Sequence, residues 1–392
     1  MRESFVSQLR DETPGCQHVL HFNNAGAALP PRVVVEAVKQ HLDLESHIGG
    51  YEAAEVEAKR LERVYDAAAQ LIHCQRDEIA FTENATRAWD MAFYGMRFNA
   101  GDRVITDQAR YASNYLAFLQ VAKQKGIVIE LIDNDAYGQL DVHDLERKLN
   151  KSVKLIAITH IPTQGGLINP VVAVGKIATK NKIPYLLDAT QSIGQMPVDT
   201  QEIGCDFLCA TGRKFLRGPR GTGFLYAKRE TLAQVEPPFI DLHAAKWLTD
   251  TTYQIREDAR RFETWEQNIA AKIGLGVAID YALQIGMQTI WERVSYLSCQ
   301  LRVALQRIPS ITLQDLGQHQ CGIVTFTSSK ITAPELQQEL NNRKINISIS
   351  LAEYARLDLV KRKLPALIRA SIHYYNTEAE IERFCDELRF LG

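Results

Sequence analysis

Seven short apolar runs follow one another along the first two thirds of the chain, and segments with helical periodicity separate most of them. In chain order they are EIAFT at 78, RVITD at 103, VIELID at 128, KLIAITH at 154, PYLLDAT at 184, DFLCAT at 206 and GFLYA at 223. Strands that alternate with helices predict an α/β fold with a mostly parallel seven-stranded sheet covered by helices. In such sheets, ligands bind beyond the carboxyl ends of the strands.

The pattern changes after about residue 255. Helical periodicity over residues 266–308 is followed by the strand-like GIVTFTS, a helix near 333–343, and the short strands NISIS and LIRASIHYYN. We therefore predict two domains, a large one over residues 20–255 and a smaller α+β one over residues 256–392. Residues 1–19 are a candidate addition to the smaller domain.

Composition narrows the classes of partner. The chain has 45 Lys and Arg against 47 Asp and Glu and no long basic run, so no nucleic acid partner is expected. The seven cysteines form no CxxC pair, which predicts neither a disulfide framework nor a metal site and favours a cytoplasmic location. No apolar stretch approaches the ~18 residues of a membrane span, and the polar start is unlike a signal peptide.

Polar side chains follow several of the predicted strands. TENAT, at 82–86, leads into a helix, where it would either hold a phosphate or only cap the helix through Asn84 or Thr86. In LLDATQ, Asp188 ends an apolar run, and a buried carboxylate is costly unless it meets a cation or a donor. That partner is either a ligand or a structural ion pair.

Two further segments carry cations among apolar or glycine-rich neighbours. CATGRKFLRGPRGTGFLY, at 209–226, places Lys214 at a turn after a strand, although the order of residues in a P-loop is absent. In LPALIRASIHYYN, Arg369 needs a carboxylate partner, which is either internal or a substrate.

Taken together and in this order, these four segments resemble those of the class V aminotransferase family of pyridoxal 5'-phosphate (PLP) enzymes, which also contains cysteine desulfurases. The resemblance extends from FNNAGAALPP to YYNTEAEI, nearly the whole chain. It implies the PLP-dependent transferase fold of type I, PLP bound in the large domain, an amino acid substrate and a homodimer.

The resemblance also implies a role for each matching residue. Lys214 would bind the cofactor aldehyde covalently and move the Cα proton, while Asp188 would pair with the ring nitrogen and Gln191 with the phenolate oxygen. Arg369 and Asn24 would bind the substrate, Arg369 through its carboxylate. The phosphate would be held by Ala85, Thr86, Thr211 and Arg213.

Several positions depart from the family pattern. Tyr111 replaces a histidine that stacks on the cofactor ring, and Thr163 replaces an asparagine near the ring. Glu266 stands where many relatives have a phosphate-binding threonine from the partner subunit, which leaves Asn268 as a weak candidate contact.

The type of reaction depends on residues beyond those that contact the cofactor. Residues 345–369 contain no cysteine, whereas desulfurases carry a sulfur-accepting cysteine on the loop before the substrate arginine. ESHIGGYEAAE, Tyr111, RKFLRGPRGTGFL and ETWEQNIAAKIG resemble hercynylcysteine sulfoxide lyases and related C–S lyases, whose reaction needs no cysteine nucleophile. We therefore expect Cβ–S elimination through Lys214. A class V aminotransferase is the alternative, and a desulfurase or a catalytically idle binding protein is less favoured.

Overall fold

The structure is a computed structural model that describes residues 1–391. Its strands, in chain order, are β1 (Leu20–His21), β2 (Ile79–Thr82), β3 (Arg103–Thr106), β4 (Val128–Leu131), β5 (Val153–Thr159), β6 (Tyr185–Asp188), β7 (Phe207–Thr211), β8 (Gly223–Ala227), β9 (Ala245–Thr249), β10 (Thr252–Ile255), β11 (Ile311–Leu313), β12 (Ile323–Ser328), β13 (Ile345–Asn346), β14 (Ser348–Leu351) and β15 (Ala366–Ser371). Its α-helices are α1 (Glu3–Asp11), α2 (Asn24–Ala27), α3 (Arg32–Ile48), α4 (Gly50–Val56), α5 (Ala58–Ile72), α6 (Ala85–Tyr94), α7 (Ala112–Lys125), α8 (Val142–Lys148), α9 (Val171–Asn181), α10 (Thr200–Ile203), α11 (Arg229–Leu232), α12 (Ile269–Ile285), α13 (Met287–Gln306), α14 (Ala333–Asn342) and α15 (Glu378–Leu391).

The seven predicted strands form one large sheet in the order β2-β8-β7-β6-β5-β3-β4. Only β8 runs against its neighbours, and the pairs from β7 to β4 are all parallel. This confirms the predicted α/β fold with a mostly parallel sheet. The carboxyl ends of β5, β6 and β7 consequently lie side by side at one edge.

Helices cover both faces of the large sheet because its strands are apolar on both sides. Successive residues of a strand point to opposite faces, so Leu186 packs in one buried cluster with Trp89 of α6 and Phe118 of α7. Leu187 packs in the other cluster with Val174 of α9, beside α5 and α12. The sheet is thus the middle layer of three.

A smaller antiparallel sheet, ordered β11-β12-β15-β14, lies in the C-terminal part of the chain. Helices α13, α14 and α15 supply apolar side chains to its core. The short strand β1 pairs with β13, which joins the start of the chain to this C-terminal part. The predicted domain division near residue 255 stays a prediction.

The helical region predicted over residues 266–308 contains two helices, α12 and α13. They are separated by Gly286, whose φ of +90° is readily adopted only by glycine. No single helix among residues 1–391 is both long and apolar enough to cross a membrane; α12 and α13 meet that criterion only as a pair, bent by 78°.

A buried carboxylate, Glu263, ties several elements together near the start of α12. It accepts hydrogen bonds from the Tyr65 hydroxyl of α5 at 2.9 Å and from the Phe81 backbone N–H of β2 at 2.8 Å. His243 lies 3.1 Å away and Lys272 of α12 3.8 Å away. Burial alone would raise the pKa of Glu263, but the hydrogen bond from His243 and the charge of Lys272 lower it to about 2.

We expect Glu263→Gln to lower the free energy of unfolding by about 3 kcal/mol at pH 7, because Lys272 would stay buried without its counter-charge. A carboxylate with a depressed pKa stabilises the fold above its ordinary pKa of 4.5 and loses this contribution as the pH falls towards 2. The difference between the two proteins should therefore shrink over that range. Urea unfolding at a series of pH values measures it.

The matched control is Glu382→Gln, at an exposed glutamate of α15. It should leave the unfolding curve almost unchanged at every pH. Equal stability of Glu263→Gln and the unaltered protein at pH 7 would contradict a structural role for this carboxylate.

Candidate active site

A cavity of about 450 Å³ lies at the edge where β5, β6 and β7 end. It opens to solvent, since Glu83, Tyr111 and Arg220 at its rim are exposed. Its lining consists of Glu83, Asn84, Ala85, Thr86, Tyr111, Asn114, Thr159, Ile161, Thr163, Asp188, Thr190, Gln191, Thr211, Arg213, Lys214, Arg220 and Gly221. Most of the predicted site residues are among them.

Asp188 is the last residue of β6 and is buried. Its Oδ2 accepts a hydrogen bond from the Asn114 side chain at 2.7 Å, and its Oδ1 accepts one from the Thr190 backbone N–H at 3.0 Å. Asn114 lies on α7, and the sequence analysis missed it. Its position three residues after Tyr111, about one helical turn on, is a signal that could have indicated it.

Lys214 follows β7 at a tight turn and is buried. Burial, together with the guanidinium groups of Arg213 and Arg369, lowers its pKa to about 7, although the charge of Asp188 acts in the opposite direction. The amine is therefore largely uncharged above neutral pH. An uncharged amine is the form that attacks an aldehyde.

Thr163 connects two of the predicted residues. Its hydroxyl accepts a hydrogen bond from the Gln191 side chain at 2.9 Å and one from Arg369 Nη1 at 2.8 Å. Arg369 also donates to the Thr163 carbonyl at 3.0 Å and to Asn23 Oδ1 at 3.4 Å. Through these contacts β15 of the small sheet reaches the cavity of the large sheet.

The Arg369 guanidinium is buried and meets only neutral oxygens in its hydrogen bonds. Its Nε is buried without a partner among residues 1–391. Burial and the nearby charge of Arg213 lower its pKa to about 10. Such a guanidinium can bind an anion, and a carboxylate can accept hydrogen bonds from two of its N–H groups at once.

The residues predicted to hold a phosphate lie together at one end of the cavity. Ala85 and Thr86 form the first turn of α6, where backbone N–H groups attract anions. Asn84 caps this helix by accepting a hydrogen bond from the Arg87 N–H, so the capping role predicted as one alternative for TENAT is present. Arg213 and Thr211 line the cavity too, but the Arg213 guanidinium donates to the Gly26 carbonyl and the Thr211 hydroxyl to the Thr222 carbonyl.

Three predicted residues do not line the cavity: Asn24, Asn268 and Arg369, of which Arg369 contacts the lining through Thr163. Asn24 is buried and donates to the Ser371 carbonyl at 2.7 Å, while its neighbour Asn23 faces Arg369. Asn268 is exposed and caps α12 by accepting from the Ala271 N–H. It lines an adjacent cavity of about 790 Å³, which shares Glu83 and Gly221 with the first. The contacts proposed for Asn24 and Asn268 stay predictions.

A sequence model described as aminotransferase class V matches residues 19–384. The chain belongs to the class V aminotransferase family. A "Probable cysteine desulfurase" of Pyrococcus abyssi is 31% identical over 391 residues, which cover 98% of this chain and 96% of that protein. The apo structure of a cysteine desulfurase from Thermococcus onnurineus NA1 superposes with a TM-score of 0.91 at 28% identity, over 98% of this chain and 97% of that one.

The fold is accordingly that of the type I PLP enzymes. A structure of C-DES with glycine covalently linked to its PLP cofactor has the same fold, with a TM-score of 0.88 at 21% identity over 98% of this chain and 99% of that one. As a member of the class V aminotransferase family, the chain is a PLP-dependent enzyme.

These relatives overturn the expected reaction. The sequence relatives that match nearly the whole chain are named cysteine desulfurases, so the prediction of Cβ–S elimination and its aminotransferase alternative are wrong. C-DES is named a cystine C–S lyase, but at 21% identity its similarity shows the fold alone. The particular similarity to hercynylcysteine sulfoxide lyases is not shown either. The absence of a loop cysteine removes one nucleophile without indicating another reaction.

The cavity fits PLP by the chemistry of its groups. It offers the low-pKa amine of Lys214 to an aldehyde, the carboxylate of Asp188 to a ring nitrogen and the first turn of α6 to a phosphate. Gln191 Oε1 is buried without a partner among the described residues, so the amide group has remaining capacity for a ligand.

We expect protein freed of cofactor to bind PLP covalently at a rate that rises with pH and levels off above about 7, the pKa of Lys214. A lowered pKa leaves the amine uncharged above that value, whereas an ordinary lysine would need a pH near 10.5. The absorbance of the bound cofactor, followed by stopped flow at a series of pH values, measures this.

Arg213→Gln removes one of the cations that lower this pKa, so it should move the midpoint to higher pH. Lys214→Ala should abolish covalent binding. A midpoint close to 10 in the unaltered protein would show that the amine is not desolvated as described.

Proposed function

We propose that this class V family member is a cysteine desulfurase, which removes the sulfur of L-cysteine and releases alanine. The observation that carries the proposal is that Lys214 and Asp188 line one cavity and Arg369 donates to Thr163 of its lining, in a chain whose relatives along nearly its whole length are named cysteine desulfurases. An amine, an acid and a free guanidinium are the groups that an amino acid substrate requires beside PLP.

Arg369 binds the substrate carboxylate. Its two terminal nitrogens form a planar fork, and its present partners are the neutral oxygens of Thr163 and Asn23. A carboxylate would exchange these for charge-assisted hydrogen bonds, which are roughly twice as strong as neutral ones. Fixing the carboxylate also fixes which Cα bond stands perpendicular to the cofactor ring.

Lys214 first holds the cofactor and then moves the proton at Cα. When bound, PLP supplies an aldehyde for amines and a ring that withdraws electrons from Cα. With a pKa of about 7, the Lys214 amine can both accept and return a proton near neutral pH. Asp188, oriented by Asn114, keeps a proton on the ring nitrogen.

Most of the remaining predicted residues complete the proposed cofactor site. Ala85, Thr86, Thr211 and Arg213 hold the phosphate, Gln191 and Thr163 contact the ring edge, and Tyr111 covers a ring face. All of them line the same cavity, which supports this assignment. Asn24 supports the substrate site only through its neighbour Asn23.

We also propose a homodimer in the cytoplasm. Large apolar side chains such as Tyr51, Trp247 and Trp265 are exposed, and two of them line the cavity beside Asn268. A second copy would bury them. Seven free cysteines are typical of a reducing compartment. The large sheet and the small sheet further support separate domains over residues 20–255 and 256–392.

We expect the holoenzyme, given L-cysteine and an excess of dithiothreitol, to form alanine and sulfide in equal amounts. Lys214→Ala should slow alanine formation about 10²–10⁴-fold, the usual contribution of a positioned proton-transfer group. Chromatography of derivatised amino acids and a colorimetric sulfide assay measure the two products.

Arg369→Lys should raise KM about tenfold or more, because a lysine cannot form the two parallel hydrogen bonds, each worth about 1.5–3 kcal/mol. The matched control, Arg307→Lys, lies at an exposed position and should leave KM unchanged. Pyruvate and ammonia in place of alanine would refute the desulfurase function.

We expect light scattering to give the mass of two chains, twice 44.2 kDa. Trp265→Glu should weaken the association, because a charge would be buried between the copies. Glu382→Gln on α15 serves as the control that leaves it intact. A single-chain mass at micromolar concentration would contradict the dimer.

A further inference from the structure

The segment between β14 and β15, residues 352–365, leads directly to Arg369. Its sequence, AEYARLDLVKRKLP, contains no cysteine. It is fastened to the body of the protein: Leu359 is fully buried, Lys361 donates to the Gln108 side chain at 2.9 Å, and Arg362 donates to the Gln314 carbonyl at 2.6 Å. This segment therefore brings no sulfur nucleophile to the cavity.

The two cysteines nearest to the predicted site residues are poorly placed to act. Cys209 lies within β7, where burial and the charge of Asp188 raise its thiol pKa well above the ordinary value. Cys321 is fully buried in a cluster with Ala25 and Phe215, and burial raises its pKa to about 12. The thiolate is the nucleophilic form, so both side chains are suited to packing.

The other five cysteines, like Cys209 and Cys321, lie outside the cavity lining, as described for residues 1–391. Burial raises the pKa of the thiols of four of them, Cys16, Cys74, Cys205 and Cys385. Cys299 is exposed on α13, whose buried face packs on the small sheet. The chain thus offers no accessible thiolate at the site.

The cavity itself opens to solvent through a rim of exposed side chains, Glu83, Tyr111 and Arg220. The charges of Arg220 and Glu83 are opposite in sign, so the rim does not repel a small thiol or its thiolate. Such a molecule can enter the cavity from solution.

We propose, resting on the desulfurase function above, that the sulfur acceptor is a low-molecular-weight thiol that enters this cavity from solution, and not a cysteine of the chain. The acceptor thiolate attacks the sulfur of the substrate cysteine. A sulfur–sulfur bond forms, the Cβ–S bond breaks, and its electron pair stays on Cβ, which then takes a proton. The products are alanine and the persulfide of the acceptor, so L-cysteine and RSH give L-alanine and RSSH.

The test gives the holoenzyme less than one equivalent of L-cysteine, with and without 2-mercaptoethanol. We expect one alanine per cysteine with the thiol and almost none without it, because no free cysteine remains to act as acceptor. Mass spectrometry of the intact protein should find no added sulfur atom in either case. The persulfide of 2-mercaptoethanol, trapped by alkylation, should equal the alanine.

Two further measurements separate structural effects from catalytic ones. Cys299→Ser, which alters the exposed thiol, should leave alanine formation with 2-mercaptoethanol unchanged. Pretreatment of the holoenzyme with iodoacetamide, followed by its removal, should also leave it unchanged, and this control requires no variant to fold.

Alanine formed without added thiol, together with one sulfur atom bound per chain, would overturn this inference and leave the desulfurase function standing. Loss of alanine formation after alkylation or in Cys299→Ser would overturn it as well. Absence of alanine at every concentration of 2-mercaptoethanol would overturn both proposals together.

Discussion

The site depends on holding an amine and a carboxylate close together without letting them neutralise each other. The parallel pairing of β6 with β7 brings Asp188 beside the turn that carries Lys214. Asp188 is satisfied by donors from Asn114 and the Thr190 backbone, so it does not need the amine as its partner. Burial and two guanidinium groups meanwhile keep the amine largely uncharged above neutral pH. Each group therefore remains available to a ligand, which is the general requirement for pre-organised chemistry.

A second constraint links the small sheet to the same ligand. Thr163 follows β5 of the large sheet, and its hydroxyl accepts from both Gln191 and Arg369. A displacement of β15 would therefore alter the hydrogen bond of Gln191, which lies three residues after Asp188. Arg369, the proposed substrate-binding residue, and Gln191, a proposed cofactor contact, thus share one hydrogen-bonding oxygen, although they are far apart in the sequence.

The sequence was informative where a local pattern is physically anomalous. A carboxylate after an apolar run, or a lysine in a glycine-rich turn, stands out without knowledge of the fold, and Asp188 and Lys214 were found in this way. Asn114 sits on an ordinary amphipathic helix, so only the packing of α7 against β6 reveals its contact. Asn23 and Asn24 are adjacent at the start of the short helix α2, and hydrophobic periodicity does not show which of the two amides contacts Arg369. Gly286 likewise breaks a helical pattern through a backbone angle that composition does not encode.

The residues proposed to hold the cofactor could not identify the reaction, because they would serve every PLP reaction at Cα equally well. The groups around Lys214 determine how the cofactor is held and which proton moves. The fate of the sulfur is set by whichever nucleophile can reach it, and that depends on the segment between β14 and β15 and on access from solvent. In this chain the segment uses Leu359, Lys361 and Arg362 to attach itself to the body of the protein. A segment that carries no thiol and is held in place by these contacts, together with a cavity that opens to solvent, shifts the choice of acceptor from the protein to the surrounding solution.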